Sequence, residues 1–300
     1  MAVTNVYDIH EVFHKTTRID QISQSSIDPG VSMMLERADG VVDTVYAAVA
    51  KIAPRFTFST SKVATVLTSL GINGTAIDTN FDMYFKKRTL GGTHAASGHV
   101  KCTLANGLII PTSVSAGQDS LATVTYNVIA VSADGTTSPI NISTTTVPAG
   151  SATFAEGFVA GPVTINGSAY SGITGIEIDF GVETEELSAD GEVYDTFTSL
   201  VGRQVNITVS SNNVLLYDTI DAGVAQGVTA STFYLRKVQE DGTRVANATA
   251  EHLKFTVTDG YIRPDSVSVS SGSAAEFSFV MHCTWDGTND AVQIAAAAIS

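Results

Sequence analysis

The feature that most constrains this chain is a stretch written twice. Ile27-Asp28-Pro29-Gly30-Val31 is followed by Ala38-Asp39-Gly40-Val41-Val42 and then by Arg55-Phe56-Thr57-Phe58-Ser59-Thr60. Half a chain later come Ile178-Asp179-Phe180-Gly181-Val182, Ala189-Asp190-Gly191-Glu192-Val193 and Asn206-Ile207-Thr208-Val209-Ser210-Ser211, at the same spacing and without a gap. That period is too long for a solenoid and suits a whole domain. The echo continues after small shifts. Tyr84-Phe85-Lys86-Lys87 meets Tyr234-Leu235-Arg236-Lys237, and Pro111-Thr112-Ser113-Val114-Ser115 meets Pro264-Asp265-Ser266-Val267-Ser268. Asp134-Gly135-Thr136 meets Asp286-Gly287-Thr288. Repetition in one register predicts two tandem copies of one domain, residues 1–150 and 151–300, joined near Val147-Pro148-Ala149-Gly150.

Within each copy the pattern reads mainly as strands. Ser and Thr are abundant while Lys and Glu are sparse, a composition that favours sheet over exposed helix. Val31–Leu35, Arg55–Thr60 and Phe81–Arg88 read as strands. Val100–Leu104 and Leu108–Val114 flank an Asn106-Gly107 turn and predict a hairpin. Leu121–Val131 alternates, and Ile140–Thr146 is expected to pair back on it after the Asp134-Gly135 turn. Helical stripes appear at Val42, Val45, Tyr46, Val49 and at Val63, Val66, Leu67, Leu70, with a weaker one at Val193, Phe197, Leu200, Val201. Residues 1–26 read as an edge strand or an arm reaching a neighbour. The expected fold class is mainly β: two tandem copies of a β-sandwich or rolled barrel, each flanked by one or two short α-helices.

Charge divides the halves. Residues 1–150 hold 10 basic and 11 acidic side chains, whereas residues 151–300 hold 6 and 19, so nearly all of the net charge of −14 lies in the second copy. Such a chain is not expected to bind nucleic acid by neutralising phosphates, and an acidic surface repels it. No basic-then-apolar leader opens the chain and no apolar run nears the ~20 residues of a membrane span. Synthesis in a cytoplasm and no membrane partner are the expectations. Two cysteines, Cys102 and Cys283, make no disulfide framework and read as buried thiols.

The search for chemistry returns little. His94, His99 and Cys102 form a loose His-x4-His-x2-Cys with no fourth ligand, looser than zinc sites use. Ser59-Thr60-Ser61-Lys62 fits Ser-x-x-Lys, but its companion motifs are missing and the copy, Ser210-Ser211-Asn212-Asn213, lacks the Lys. Asp286-Gly287-Thr288-Asn289-Asp290 reads as a turn and not a calcium loop. Phosphate loops, nucleophile elbows and zinc-protease motifs are missing from the sequence. The densest charges are acidic, at Glu183, Glu185, Glu186, Asp190, Glu192 and Asp195, and basic, at Lys86, Lys87 and Arg88. No catalytic residue, cofactor or metal is expected, and the chain is not expected to be an enzyme.

A duplicated β-domain without catalytic residues suits a ring, because fused pairs convert a hexamer of single domains into a trimer of pseudo-sixfold symmetry. Two domains of this length, with Ile178-x-Phe180-Gly181-Val182 and Ala189-Asp190-Gly191-Glu192-Val193-Tyr194, resemble the tail tube proteins of long-tailed bacteriophages. The resemblance implies a virion structural protein made in the host cytoplasm and built into the phage tail. Homotrimers would form pseudo-hexameric rings stacked axially, alongside tape measure and tail completion proteins. DNA would pass through an acidic lumen during ejection without specific binding. The resemblance extends to baseplate hub proteins, and a virion decoration or receptor-binding protein with tandem β-sandwiches is the alternative in another class. Lys86, Lys87 and Arg88 are expected to meet Glu183, Glu185 and Glu186 of an adjacent subunit or ring.

Overall fold

The computed structural model describes residues 5–15, 17–148, 156–213, 216, 220, 226–269, 271 and 275–300, and these form a mainly β protein. In the first half run β1 (Val6–His14), β2 (Thr17–Ile19), β3 (Ile22–Asp28), β4 (Val31–Arg37), β5 (Thr44–Ile52) and β6 (Arg55–Thr60). Then come α1 (Val63–Leu70), β7 (Thr75–Ile77), β8 (Phe81–Arg88), β9 (His99–Leu104), β10 (Gly107–Gly117), β11 (Thr123–Ala130) and β12 (Ile140–Thr145). The second half holds β13 (Phe158–Ile165), β14 (Ser168–Tyr170), β15 (Ile173–Asp179), β16 (Val182–Leu187), β17 (Phe197–Arg203) and β18 (Asn206–Ser211). It closes with β19 (Gln226–Val228), β20 (Ser231–Lys237), β21 (His252–Val257), β22 (Gly260–Ser268), β23 (Glu276–Cys283) and β24 (Gln293–Ala297).

Strands β12-β9-β8-β1-β2 make one five-stranded sheet and β24-β21-β20-β13-β14 another, in the same order position for position. A ten-stranded sheet runs β3-β6-β11-β10-β15-β18-β23-β22-β19, with β7 beside β10. Its two halves meet where β10 pairs antiparallel with β15, from Ser113 opposite Asp179 to Gly117 opposite Gly175. Two hairpins, β4–β5 and β16–β17, stand outside these sheets.

The repeated Ile-Asp-x-Gly-Val encodes the point where the chain leaves the large sheet for a hairpin. The Asp28 carboxylate accepts the Gly30 N–H at 2.9 Å, and Asp179 accepts that of Gly181 at 2.9 Å, the Asx geometry of a tight turn. Gly30 has φ +60° and Gly181 φ +50°, and a Cβ at either would lie 2.1 Å from a backbone oxygen, of Ala53 or Gln204. Only glycine fits both demands.

Alternation builds the core. Phe56 and Phe58 of β6 and Val124, Tyr126 and Val128 of β11 face inward, against Phe81, Met83 and Leu104 of the first small sheet. Phe58 stacks on Tyr126 at 5.7 Å and meets Phe81 at 6.0 Å. In the second half Ile207, Val209, Phe277 and Phe279 play the same part opposite Val163, Phe233 and Phe255. Helix α1 buries Val63, Val66, Leu67 and Leu70, as the stripe predicts. It stops at Gly71, whose carbonyl accepts the Tyr126 hydroxyl at 2.8 Å.

Several sequence expectations are corrected. Val42–Val49 is not a helix: Thr44–Ile52 is β5, and Phe197–Arg203, the weaker stripe, is β17. Both stretches are rich in β-branched and aromatic residues, which favour an extended chain once a hairpin partner is present. α1 is the one helix whose bounds are set among the described residues, so the first half has one of the expected one or two flanking helices, and none is bounded in the second half. Asn106-Gly107 does not close a hairpin, because β9 pairs with β8 and β12 while β10 pairs with β7, β11 and β15. The turn carries the chain from one sheet to the other. Ile140–Thr145 likewise pairs with β9 and not with β11. Within residues 1–26, β1 lies inside its sheet between β8 and β2, while β2 and β3 each take an edge. The expected junction falls partly outside the described residues, which end at Pro148 and resume at Glu156.

Candidate assembly surfaces

Three surfaces follow from this topology. The first is the pair of edges of the ten-stranded sheet. Among the described residues β3 has β6 as its only strand neighbour, and the Pro264–Ser268 segment of β22 has only β23. A bare edge offers unpaired N–H and C=O groups to another strand. Its apolar side chains are bare as well. Ile27 on β3 is 41 % exposed, although its positional counterpart Ile178 is fully buried. Val267 on β22 is 43 % exposed, although its counterpart Val114 is fully buried. Val114 and Ile178 lie directly opposite each other across the β10–β15 junction.

The second surface is the face of that sheet turned away from the core. Thr57 and Ser59, Ser113 and Ser115, Thr123 and Thr125 alternate with the buried residues of their strands. Ser59 and Thr125 share a hydrogen bond at 2.8 Å, as do Ser266 and Ser278 at 2.8 Å. Glu177 opposite Ser115, Asp179 opposite Ser113, and Glu276 add acid to this hydroxyl-covered face. The face is polar, shallow and weakly acidic.

The third surface is formed by the hairpins. β16–β17 folds back on the first half. Ile52 donates its N–H to Val193 O at 2.8 Å, Tyr194 to Gly135 O at 3.0 Å, and Ser132 to Asp195 O at 2.7 Å. Two ion pairs brace it: Arg55 holds both oxygens of Glu186 at 2.7 and 2.9 Å, and Lys51 Nζ lies 2.8 Å from the buried Asp195 carboxylate. The acidic run, the densest in the sequence, is thus partly an internal latch. Removing Lys51 strands a buried charge, which is costly even where the intact pair contributes little. Lys51→Met is expected to lower stability by about 2 kcal/mol in urea denaturation. Lys51→Arg is expected to lower it far less.

The two charge clusters are not joined within the chain among the described residues. Arg88 pairs with Asp8 at 2.6 Å, and Glu186 with Arg55. Lys86 and Lys87 are half-buried along β8, and Glu183 and Glu185 stand exposed on β16.

The residues weighed for chemistry resolve into structural roles. His94 Nε2 lies 3.4 Å from Asp8. His99 is buried, and its Nδ1 accepts the Lys87 N–H at 3.1 Å. His252 in the second half accepts the Lys237 N–H at 3.1 Å in the same way, so the histidine is repeated. Aligning His99-Val100-Lys101 with His252-Leu253-Lys254 would have shown it. Cys102 faces the core, and burial pushes its thiol up to about 11. Ser59 bonds Thr125, while Lys62 reaches Asp20 at 2.7 Å. Asp286 accepts the N–H groups of Thr288 and Asn289, as Asp134 accepts those of Thr136 and Thr137. Those backbone donors hold both carboxyls well below the usual range. Among the described residues no cluster of three or more His, Cys, Asp or Glu is placed to hold a metal, and no helix is long and apolar enough to cross a membrane.

Burial holds the pKa of His99, and that of His14 in β1, below the ordinary value of 6.5. Both folded values lie below the unfolded one, so the stability they contribute is complete above about pH 6.5 and is lost as pH falls. The urea midpoint is expected to drop between pH 7 and pH 5, and to drop less in His99→Gln. An unchanged midpoint across that range would refute the assignment.

Compared with known proteins, the chain matches no family model and no curated relative.

Proposed function

We propose that this chain is the ring-forming subunit of a bacteriophage tail tube. Each chain carries two copies of one β-domain, and three chains close a pseudo-hexameric ring. Rings stack axially into a conduit for DNA, and the protein resides in the virion. One observation carries this reading. Val114 and Ile178 are buried against each other at the in-chain junction, while their counterparts Val267 and Ile27 lie exposed on the two outer edges of the same sheet. Repeating the junction between chains pairs Val267 with Ile27 of the next copy and covers both edges.

Closure of the ring would make a barrel from the eight strands between β22 and β3 of each chain. Some two dozen strands exceed the sixteen to eighteen that already enclose an aqueous channel. The core-averted face would then line the lumen. Its Ser and Thr hydroxyls carry no charge, its cations Arg55 and Arg263 lie beside Glu186 and Asp265, and Glu177, Asp179 and Glu276 repel phosphate. No catalytic step is part of this proposal. Lys86 and Lys87 remain candidates to meet Glu183 and Glu185 of an adjacent subunit or ring, at exposed pairs contributing about 0–1 kcal/mol each and setting register.

Electron microscopy and light scattering of the purified chain test the proposal. Rings or tubes with a trimeric mass are expected. A stable monomer with no rings at any protein concentration overturns it.

A further inference from the structure

We infer that hairpin β4–β5 clasps a second copy of this chain, on the surface marked by Tyr261 and Trp285. The inference rests on the ring proposed above and adds a contact that strand pairing alone does not require.

Hairpin β16–β17 supplies the template. Opposed residues in its ladder put Val182, Thr184, Glu186, Thr198 and Leu200 on one face. That face lies on the first half. Val182 packs against the Leu108, Ile110 and Ile129 cluster, Glu186 pairs with Arg55, and Leu200 closes on Gly74. From Val31 to Glu36 hairpin β4–β5 has the same ladder, with a bulge at the same place, between Ser32 and Met33 as between Glu183 and Thr184; a second bulge, between Glu36 and Arg37, is its own. Its corresponding face is Val31, Met33, Leu35, Ala47 and Val49. Every one of these is apolar, and every one is exposed among the described residues. Val31 is 50 %, Met33 49 % and Leu35 61 % exposed. A two-stranded ribbon with a bare apolar face does not hold its shape alone in water, and a contiguous exposed patch of this kind marks a contact.

The same correspondence locates the receiving surface. Leu108 corresponds to Tyr261, and Ala133, beside the Ser132 contact, to Trp285. Tyr261 is 58 % and Trp285 68 % exposed. Trp285 borders a hollow of about 430 Å³ with Arg203, Thr284 and Asp290. The internal latch also changes in character. Arg55 and Glu186 correspond to Asn206 and Leu35, so the translated contact carries no ion pair. Two backbone contacts translate directly: Arg203 with Val42 and Gly287 with Asp43 of the neighbour. The Thr284 N–H is held by Asp259 O at 3.1 Å, as that of Val131 is by Asn106 O, which sets Thr44 of the neighbour beside Thr284 and Trp285. A second copy therefore brings an apolar hairpin to exposed aromatic groups, and each chain in a ring both gives and receives one clasp. Exposed apolar groups are thus covered on both sides, by the operation that relates the halves of one chain.

The test is a cysteine pair, Thr44→Cys with Thr284→Cys in a Cys283→Ser background, treated with a short bismaleimide and run on a denaturing gel. Covalent dimers and closed trimers are expected, and chains carrying only one of the two new cysteines should stay monomeric on the gel. A second arm is Met33→Asp with Leu35→Asp, both at positions exposed in the single chain. Folding should be kept, and the protein concentration needed for rings should rise about tenfold or more. Rings that form normally in both arms, without cross-links, refute the clasp and leave edge closure standing. If the unaltered chain forms no rings at all, edge closure fails. Cross-linked pairs in that case would show the clasp acting by itself.

Discussion

Ile27→Asp yields a folded chain that no longer assembles. Ile27 is 41 % exposed in the single chain, so a carboxylate there keeps much of its water and the far-ultraviolet spectrum and melting temperature should stay near those of the unaltered protein. In the proposed ring the same carboxylate would take the place that Ile178 occupies at the in-chain junction, where exposure is zero. Burying an unpaired charge costs several kcal/mol, and even about 4 kcal/mol weakens each contact by about a thousandfold. Light scattering should report monomer at concentrations where the parent forms rings. Ile178→Asp is the informative partner experiment. There the charge enters the chain's own core, so the monomer should be destabilised or fail to fold. If Ile27→Asp assembles like the parent, the β3 edge is not a joint.

Gly181→Ala should be the most damaging small substitution in the second half. The new Cβ would stand 2.1 Å from Gln204 O, on a residue with φ +50°. A left-handed backbone alone costs an alanine about 1–2 kcal/mol, and relieving the carbonyl contact raises the loss to about 3 kcal/mol. The turn also aims β16–β17 at Arg55 and Lys51, so a displaced turn loosens the latch with it. Urea denaturation is the measurement, and a loss below about 0.5 kcal/mol, the range of ordinary surface changes, would contradict the account. Gly30→Ala meets the same geometry at Ala53, but its hairpin is braced in the single chain at its base, through Lys51 and Ile52, while its apolar face stays exposed. Its effect should therefore fall less on monomer stability and more on assembly.

Both substitutions come from the stretch that is legible first in the sequence. The repeat places Asp28-Pro29-Gly30 and Asp179-Phe180-Gly181 at equal positions, and the turn chemistry of Asp and Gly follows from composition alone. Strands Arg55–Thr60 and Phe81–Arg88 and helix Val63–Leu70 are legible for a similar reason, since each buries one side and its periodicity shows. Pairing is less legible. Asn106-Gly107 announces a reversal, but whether the strands beside it join one sheet or two depends on residues far away in sequence. The stripe at Val42, Val45, Tyr46 and Val49 misleads because its residues are exposed in the single chain, and helical spacing means burial only where something buries it. The assembly surfaces were legible only in part. Charge runs stand out by composition, yet Glu186 and Asp195 find Arg55 and Lys51 inside the chain. The exposed edges carry ordinary Ile and Val, and nothing in their spelling separates an outer strand from an inner one.

If the proposed ring forms, the β10–β15 junction has a consequence for how assembly depends on concentration. Were each unit a separate chain, a six-membered ring would gather six independent molecules, and its equilibrium yield would scale as the sixth power of free subunit. Fusing units in pairs leaves three encounters and a third-power law. The joints made inside a chain form at the effective local concentration set by the linker, of millimolar order for a short one, and do not depend on dilution. A chain built this way should pass from free subunits to rings over a wider span of concentrations. It should begin doing so earlier in the course of its own synthesis, while copies are still few.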